Sequence, residues 1–105
     1  MAFADNLKSL PSVAHIAALE LLDSSGTVVA TIENKPGKAG SLAVYAALAA
    51  RHGQIDGTAA REGLDLFAEH TEDARRHPGK HPNIDRLLTL IASGDRLTIR
   101  TIAAG

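Results

Sequence analysis

Three of the five histidines, His70, His77 and His81, fall within twelve residues, and Asp73 lies among them. Imidazole with carboxylate is the donor set of Zn, Fe, Ni or Cu(II) sites. On a helix of ordinary pitch, His70, Asp73 and His77 share one edge of the apolar stripe marked by Ala60, Gly63, Leu64, Phe67 and Ala74. His81 can fold back across the Pro78-Gly79 turn. These four residues are therefore the candidate ligands of a transition metal, or the members of an acid–base site. Their spacing matches no His-Glu-x-x-His signature. His77 precedes Pro78, which pushes it out of the α region, so the helix is expected to fray by Arg76. The plainer alternative is one core-edge histidine bonded to the backbone and two histidines in a loop.

A second set lies just downstream. Pro78-Gly-Lys-His-Pro-Asn83 leads into a helix whose first N–H groups and partial positive charge suit an anion. Lys80, Asn83 and Arg86 are the candidate anion-binding residues. Against this, Asn83 is expected to cap the helix itself, and Arg86 to pair with an acid such as Glu72. Asp85 either complements the helix dipole or joins His81. The segment Lys35-Pro-Gly-Lys-Ala-Gly40 lacks the Gly-Lys-Ser/Thr ending of a phosphate-binding loop and reads as a turn. His52 suits the last turn of its helix, and His15 reads as a surface residue.

The elements that must position these side chains are legible from period and punctuation. Phe3, Leu7 and Leu10 mark a first amphipathic helix that Pro11 stops, and Ser12 caps a single turn after it. Ala17–Leu22 and Thr27–Glu33 flank Asp23-Ser-Ser-Gly26 as a hairpin. Ser41 is expected to cap a helix to His52, closed by Gly53. A third helix begins at Asp56 or Thr58 and runs unbroken until before Pro78. A fourth, capped by Asn83, carries Ile84, Leu87, Leu88 and Ile91 on one stripe and ends at Gly94. Arg96–Ile102 alternates as a half-buried strand. The expected fold is α+β in the order α-β-β-α-α-α-β, a small, mostly antiparallel sheet covered by helices on one face.

Composition narrows the function. The 105 residues form one domain, residues 1–105, with 45% hydrophobic and only 3% aromatic residues. Ala is abundant and buries little area, so helices must approach closely. The helix from Leu42 to Arg51 is apolar nearly all round, which suggests a second cover and hence a homo-oligomer or protein partner. A formal net charge of −1 lacks the basic excess of a nucleic-acid binder. No cysteine is present, which removes disulfides and thiolate metal sites. No apolar run reaches the roughly 20 residues of a spanning helix, so no membrane role is expected. The first residues carry no signal-peptide pattern, and the expected location is the cytoplasm.

Two words, Gly63-Leu-Asp-Leu-Phe-Ala-Glu-His-Thr-Glu-Asp-Ala-Arg75 and Pro78-Gly-Lys-His-Pro-Asn-Ile-Asp-Arg-Leu87, resemble a family of short bacterial proteins known as a domain of unknown function. Leu19-Glu-Leu-Leu-Asp-Ser-Ser-Gly26 and Pro36-Gly-Lys-Ala-Gly-Ser-Leu42 fit the same resemblance, which spans nearly the whole chain. It implies a single bacterial domain and brings no activity, cofactor or catalytic residue. The residues themselves favour a non-catalytic binding or regulatory domain that self-associates. The alternatives are a metal-dependent or acid–base enzyme using the His/Asp cluster, and a small-anion or phosphometabolite binder at the start of the fourth helix.

Overall fold

The computed structural model describes residues 2–105. Helix α1 (Phe3–Lys8) turns Phe3 and Leu7 towards the core and ends before Pro11. Strands β1 (Ile16–Leu22) and β2 (Val28–Glu33) form the hairpin. Its turn is organised by one carboxylate. Asp23 Oδ1 accepts from the backbone N–H of Ser25 (2.9 Å) and Thr27 (3.0 Å), while Gly26 takes a positive φ of 85°. Strand β3 (Thr98–Ala103) pairs with the free edge of β1, giving a wholly antiparallel sheet of order β2-β1-β3. Leu19 lies opposite Ile32 and Thr101, and Leu21 opposite Ala30 and Ile99. The sheet is thus fastened through its central strand, whose Leu19 and Leu21 are fully buried.

Helix α2 (Ala39–His52) crosses the inner face and touches all three strands, α1 and the next helix. Its Leu42, Val44, Tyr45, Ala47 and Leu48 are buried within the chain. Ala43, Ala46 and Ala49 are only partly buried and Ala50 is exposed, so part of the apolar circumference that suggested a second subunit stays uncovered. Ser41 does not cap α2. The turn over Lys35–Lys38 winds directly into the helix, so the Lys38 carbonyl accepts the first intrahelical bond, from Leu42 N–H at 3.0 Å. Gly53, at φ 75°, closes α2 as expected.

The expected third helix is two helices, α3 (Gly57–Phe67) and α4 (Glu69–Arg76). Asp56 caps α3 by accepting from Ala59 N–H at 2.9 Å. The chain breaks at Ala68, which adopts φ 52° and ψ −118°. Side chains take up the carbonyls exposed there: Thr71 Oγ1 donates to Leu64 O (2.6 Å), and Asn6 Nδ2 of α1 to Leu66 O (3.0 Å). Glu69 Oε1 accepts from Phe3 N–H at 2.8 Å. The break and α1 hold each other.

Helix α5 (Pro82–Ser93) starts one residue before the expected cap. Pro82 occupies its first turn, where a missing N–H costs nothing. The His81 carbonyl accepts from Ile84 and Asp85, so Asn83 sits inside the helix rather than capping it. Ile84, Leu87 and Leu90 are buried, each contributing about 1.5–3 kcal/mol. Gly63 lets α3 approach them closely: a Cβ there would lie 2.7 Å from Leu87 Cδ1 and 2.9 Å from Leu48 Cδ1. Leu97 precedes β3 and exchanges two backbone bonds with Ile55, so the last strand begins at Thr98 rather than Arg96. On the outer sheet face Arg100 Nε donates to Glu20 Oε1 at 2.6 Å.

Candidate functional site

Two segments far apart in sequence meet over the edge of the helical layer. The turn before α2 brings Lys38 and Ser41, and the turn between α4 and α5 brings Lys80, His81 and Asn83. Between them lies a cleft of about 660 Å³. Arg86 of α5 and His70 of α4 add to its polar lining, and Phe3, Leu7, Ile32, Phe67 and Ile84 supply its apolar lining. None of the lining residues is an acid.

Arg86 is the cation most firmly placed. Its Nη1 donates to Asn83 Oδ1 (2.8 Å) and to the Tyr45 hydroxyl (3.2 Å). The guanidinium carbon lies 5.6 Å from the centre of the Tyr45 ring, within cation–π reach. Tyr45 in turn donates to the Asn83 carbonyl at 2.5 Å. Burial pushes the Tyr45 hydroxyl up to about 12, with Arg86 pulling weakly the other way, so it stays neutral. Arg86 is half-buried, yet among the described residues no carboxylate lies within ion-pair distance of it. The Glu72 expected to neutralise it pairs with Arg75 instead, at 2.8 Å.

Asp73 is not part of the lining and sits behind Lys80 and His81. Its Oδ2 receives His81 Nε2 at 2.6 Å and Lys80 Nζ at 3.0 Å. Those hydrogen bonds, His81 first and Lys80 second, hold its carboxyl at about 2, well below the ordinary 3.8. The expected cluster is thus partly assembled. His70 and His81 face each other with ring centres 5.7 Å apart, and His70 also meets Phe3 edge-on at 5.0 Å. His77 is exposed at the end of α4, where the pre-proline position stops the helix at Arg76 as expected; its Nε2 stays 3.8 Å from Asp73. Among the described residues no three His, Asp or Glu side chains are arranged to hold a metal ion. Lys80 and His81 share one Asp73 oxygen, Oδ2.

The remaining titratable candidates are structural in position. Asp85 accepts from Gly79 N–H at 2.8 Å and fastens the turn before α5, leaving Asp73 as the partner of His81. His52 Nε2 meets Glu62 at 2.7 Å, beside Arg51. His15 is exposed. Sequence reasoning missed Lys38, Ser41 and Tyr45 as parts of a site. The paired lysines around Pro36-Gly37 were the available signal, but a turn alone accounts for them. A second cleft, of about 600 Å³, is also lined by Arg86 and includes Asp23 and Asp95.

Fold and site together define a small α+β protein with a cation-lined, acid-free cleft. No helix among the described residues is long and apolar enough to cross a membrane. The chain belongs to a bacterial family described as "uncharacterized protein conserved in bacteria (DUF2322)", which it matches over residues 3–101. Neither a curated protein nor a solved structure matches it.

Proposed function

We propose that the protein is a non-catalytic binding domain for a small anion, held in the cleft between the turn before α2 and the start of α5. The observation that carries this reading is Arg86, a half-buried guanidinium with no acidic partner in a cleft lined by no acid. A cation removed from water is costly unless a negative charge meets it. Both of its protein hydrogen bonds use Nη1, which leaves the rest of the planar fork to a carboxylate or phosphate. Lys38 adds positive charge at the rim, while Lys80 is already paired with Asp73.

The test is thermal unfolding against a panel of carboxylates and phosphates at constant ionic strength. A ligand that binds only the folded state raises the midpoint with concentration. The expected result is such a rise, lost in Arg86→Gln and weakened in Lys38→Gln. Lys38 is exposed on a turn, so its replacement leaves the fold intact. No Arg86-dependent shift with any member of the panel defeats the reading.

A further inference from the structure

The cleft has apolar as well as cationic lining, and the apolar part bears on what the anion carries. We infer that the ligand is an amphipathic organic acid, with an anionic head at Arg86 and an apolar body of ring or short-chain size against Phe3 and Leu7. This rests on the anion-binding reading above and narrows it. Three observations support it.

The first is size. A cleft of about 660 Å³ falls within the roughly 300–1,000 Å³ of sites that take organic ligands, far more than a bare four-oxygen anion fills. The second is the apolar lining around Phe3. Phe3 stacks on Phe67 with ring centres 5.4 Å apart and meets His70 edge-on, so two of the chain's three aromatics converge here. Phe3 and Leu7 are half-buried, and both line the cleft. Apolar surface left partly open in this way gains by being covered. The third is the charge balance. Asp73 already meets Lys80 and His81, so the cations left for a ligand are Arg86 and Lys38. One or two negative charges satisfy them.

The experiment uses the full chain and a homologous series, acetate, butyrate, hexanoate and octanoate, with inorganic phosphate and 1-octanol as the outer arms. Affinity is read by calorimetry. The expected result is a gain of about threefold to fourfold per added CH₂ as the chain covers the apolar wall, levelling once the cleft is filled. Arg86→Gln weakens each acid by about the same factor, and Phe3→Ala flattens the series. The wild-type series decides the matter even if Phe3→Ala does not fold. Acids that bind through Arg86 with no dependence on chain length overturn the apolar body and leave the anion site standing. Inorganic phosphate binding as tightly as octanoate does the same. Octanol binding as tightly as octanoate removes the anion reading itself, and no binding by any arm removes both.

Discussion

Asp73 is where the chemistry of individual side chains is most concentrated, because one carboxylate serves His81, Lys80 and, more distantly, His77. Its proton affinity is lower in the folded chain than in the unfolded one. Folding therefore gains stability from Asp73 at pH values above about 4, and that gain is lost as pH falls through about 2. Other acids also titrate in this window, so the wild-type curve alone does not isolate Asp73. Comparison with Asp73→Asn does. The midpoints of thermal unfolding are expected to differ at pH 5, with the variant lower, and to converge as pH approaches 2. A constant gap across that range would place the contribution elsewhere. The pairing of a carboxylate with nearby imidazoles was legible in the sequence, since Asp73 and His77 are one helical turn apart and the Pro-Gly turn returns His81. The partner on Oδ2 was not. Lys80 reads as a ligand-binding cation until the turn is seen to fold it back onto Asp73.

The break between α3 and α4 is the feature of the elements that no local signal announces. Leu-Phe-Ala-Glu-His contains no Gly or Pro, and Ala is the strongest helix former. Tertiary bonds outweigh that preference: Asn6 takes the Leu66 carbonyl, and Glu69 takes the Phe3 amide. The same logic misplaced two helix starts. Ser41 and Asn83 have the residue types of caps, but a preceding turn and Pro82 do the work in the backbone instead. Where the signal is a backbone requirement, the reading holds, as with Gly53 and Gly94 at positive φ. Ala68 carries a cost in return, because a Cβ residue at φ 52° and ψ −118° is strained by about 1–3 kcal/mol. Ala68→Gly relieves it and gives back roughly 0.4–1 kcal/mol through the freer unfolded chain. The expected net gain is about 1 kcal/mol, seen as a higher urea midpoint with an unchanged slope. A lower midpoint would mean that the break is not strained.

At the scale of the whole molecule, charge is balanced overall and uneven locally. The formal net charge is −1, yet the walls of the cleft carry three cations and no acid. Composition could exclude a broadly basic surface, but it could not reveal this separation. The turn before α2 and the start of α5 are about forty positions apart, and the Tyr45 hydroxyl on the Asn83 carbonyl ties the two helices together. The two arrangements respond differently to salt. A protein spread along a polyanion loses about 10³–10⁵ in affinity between 50 and 200 mM salt, because it releases many counterions. Here Arg86 is half-buried and already anchored, and only Lys38 and Lys80 are exposed to screening. The Debye length falls from about 10 Å at 0.1 M to about 3 Å at 1 M, which screens those two rim charges and leaves the direct contact to Arg86 and the apolar contact to Phe3 largely untouched. Octanoate affinity measured by calorimetry at 50 mM and 500 mM NaCl is therefore expected to fall by no more than roughly tenfold, and Lys38→Gln should flatten that slope further. A loss of several orders of magnitude would mean that long-range attraction by the whole basic rim, rather than the cation placed on Tyr45, holds the ligand.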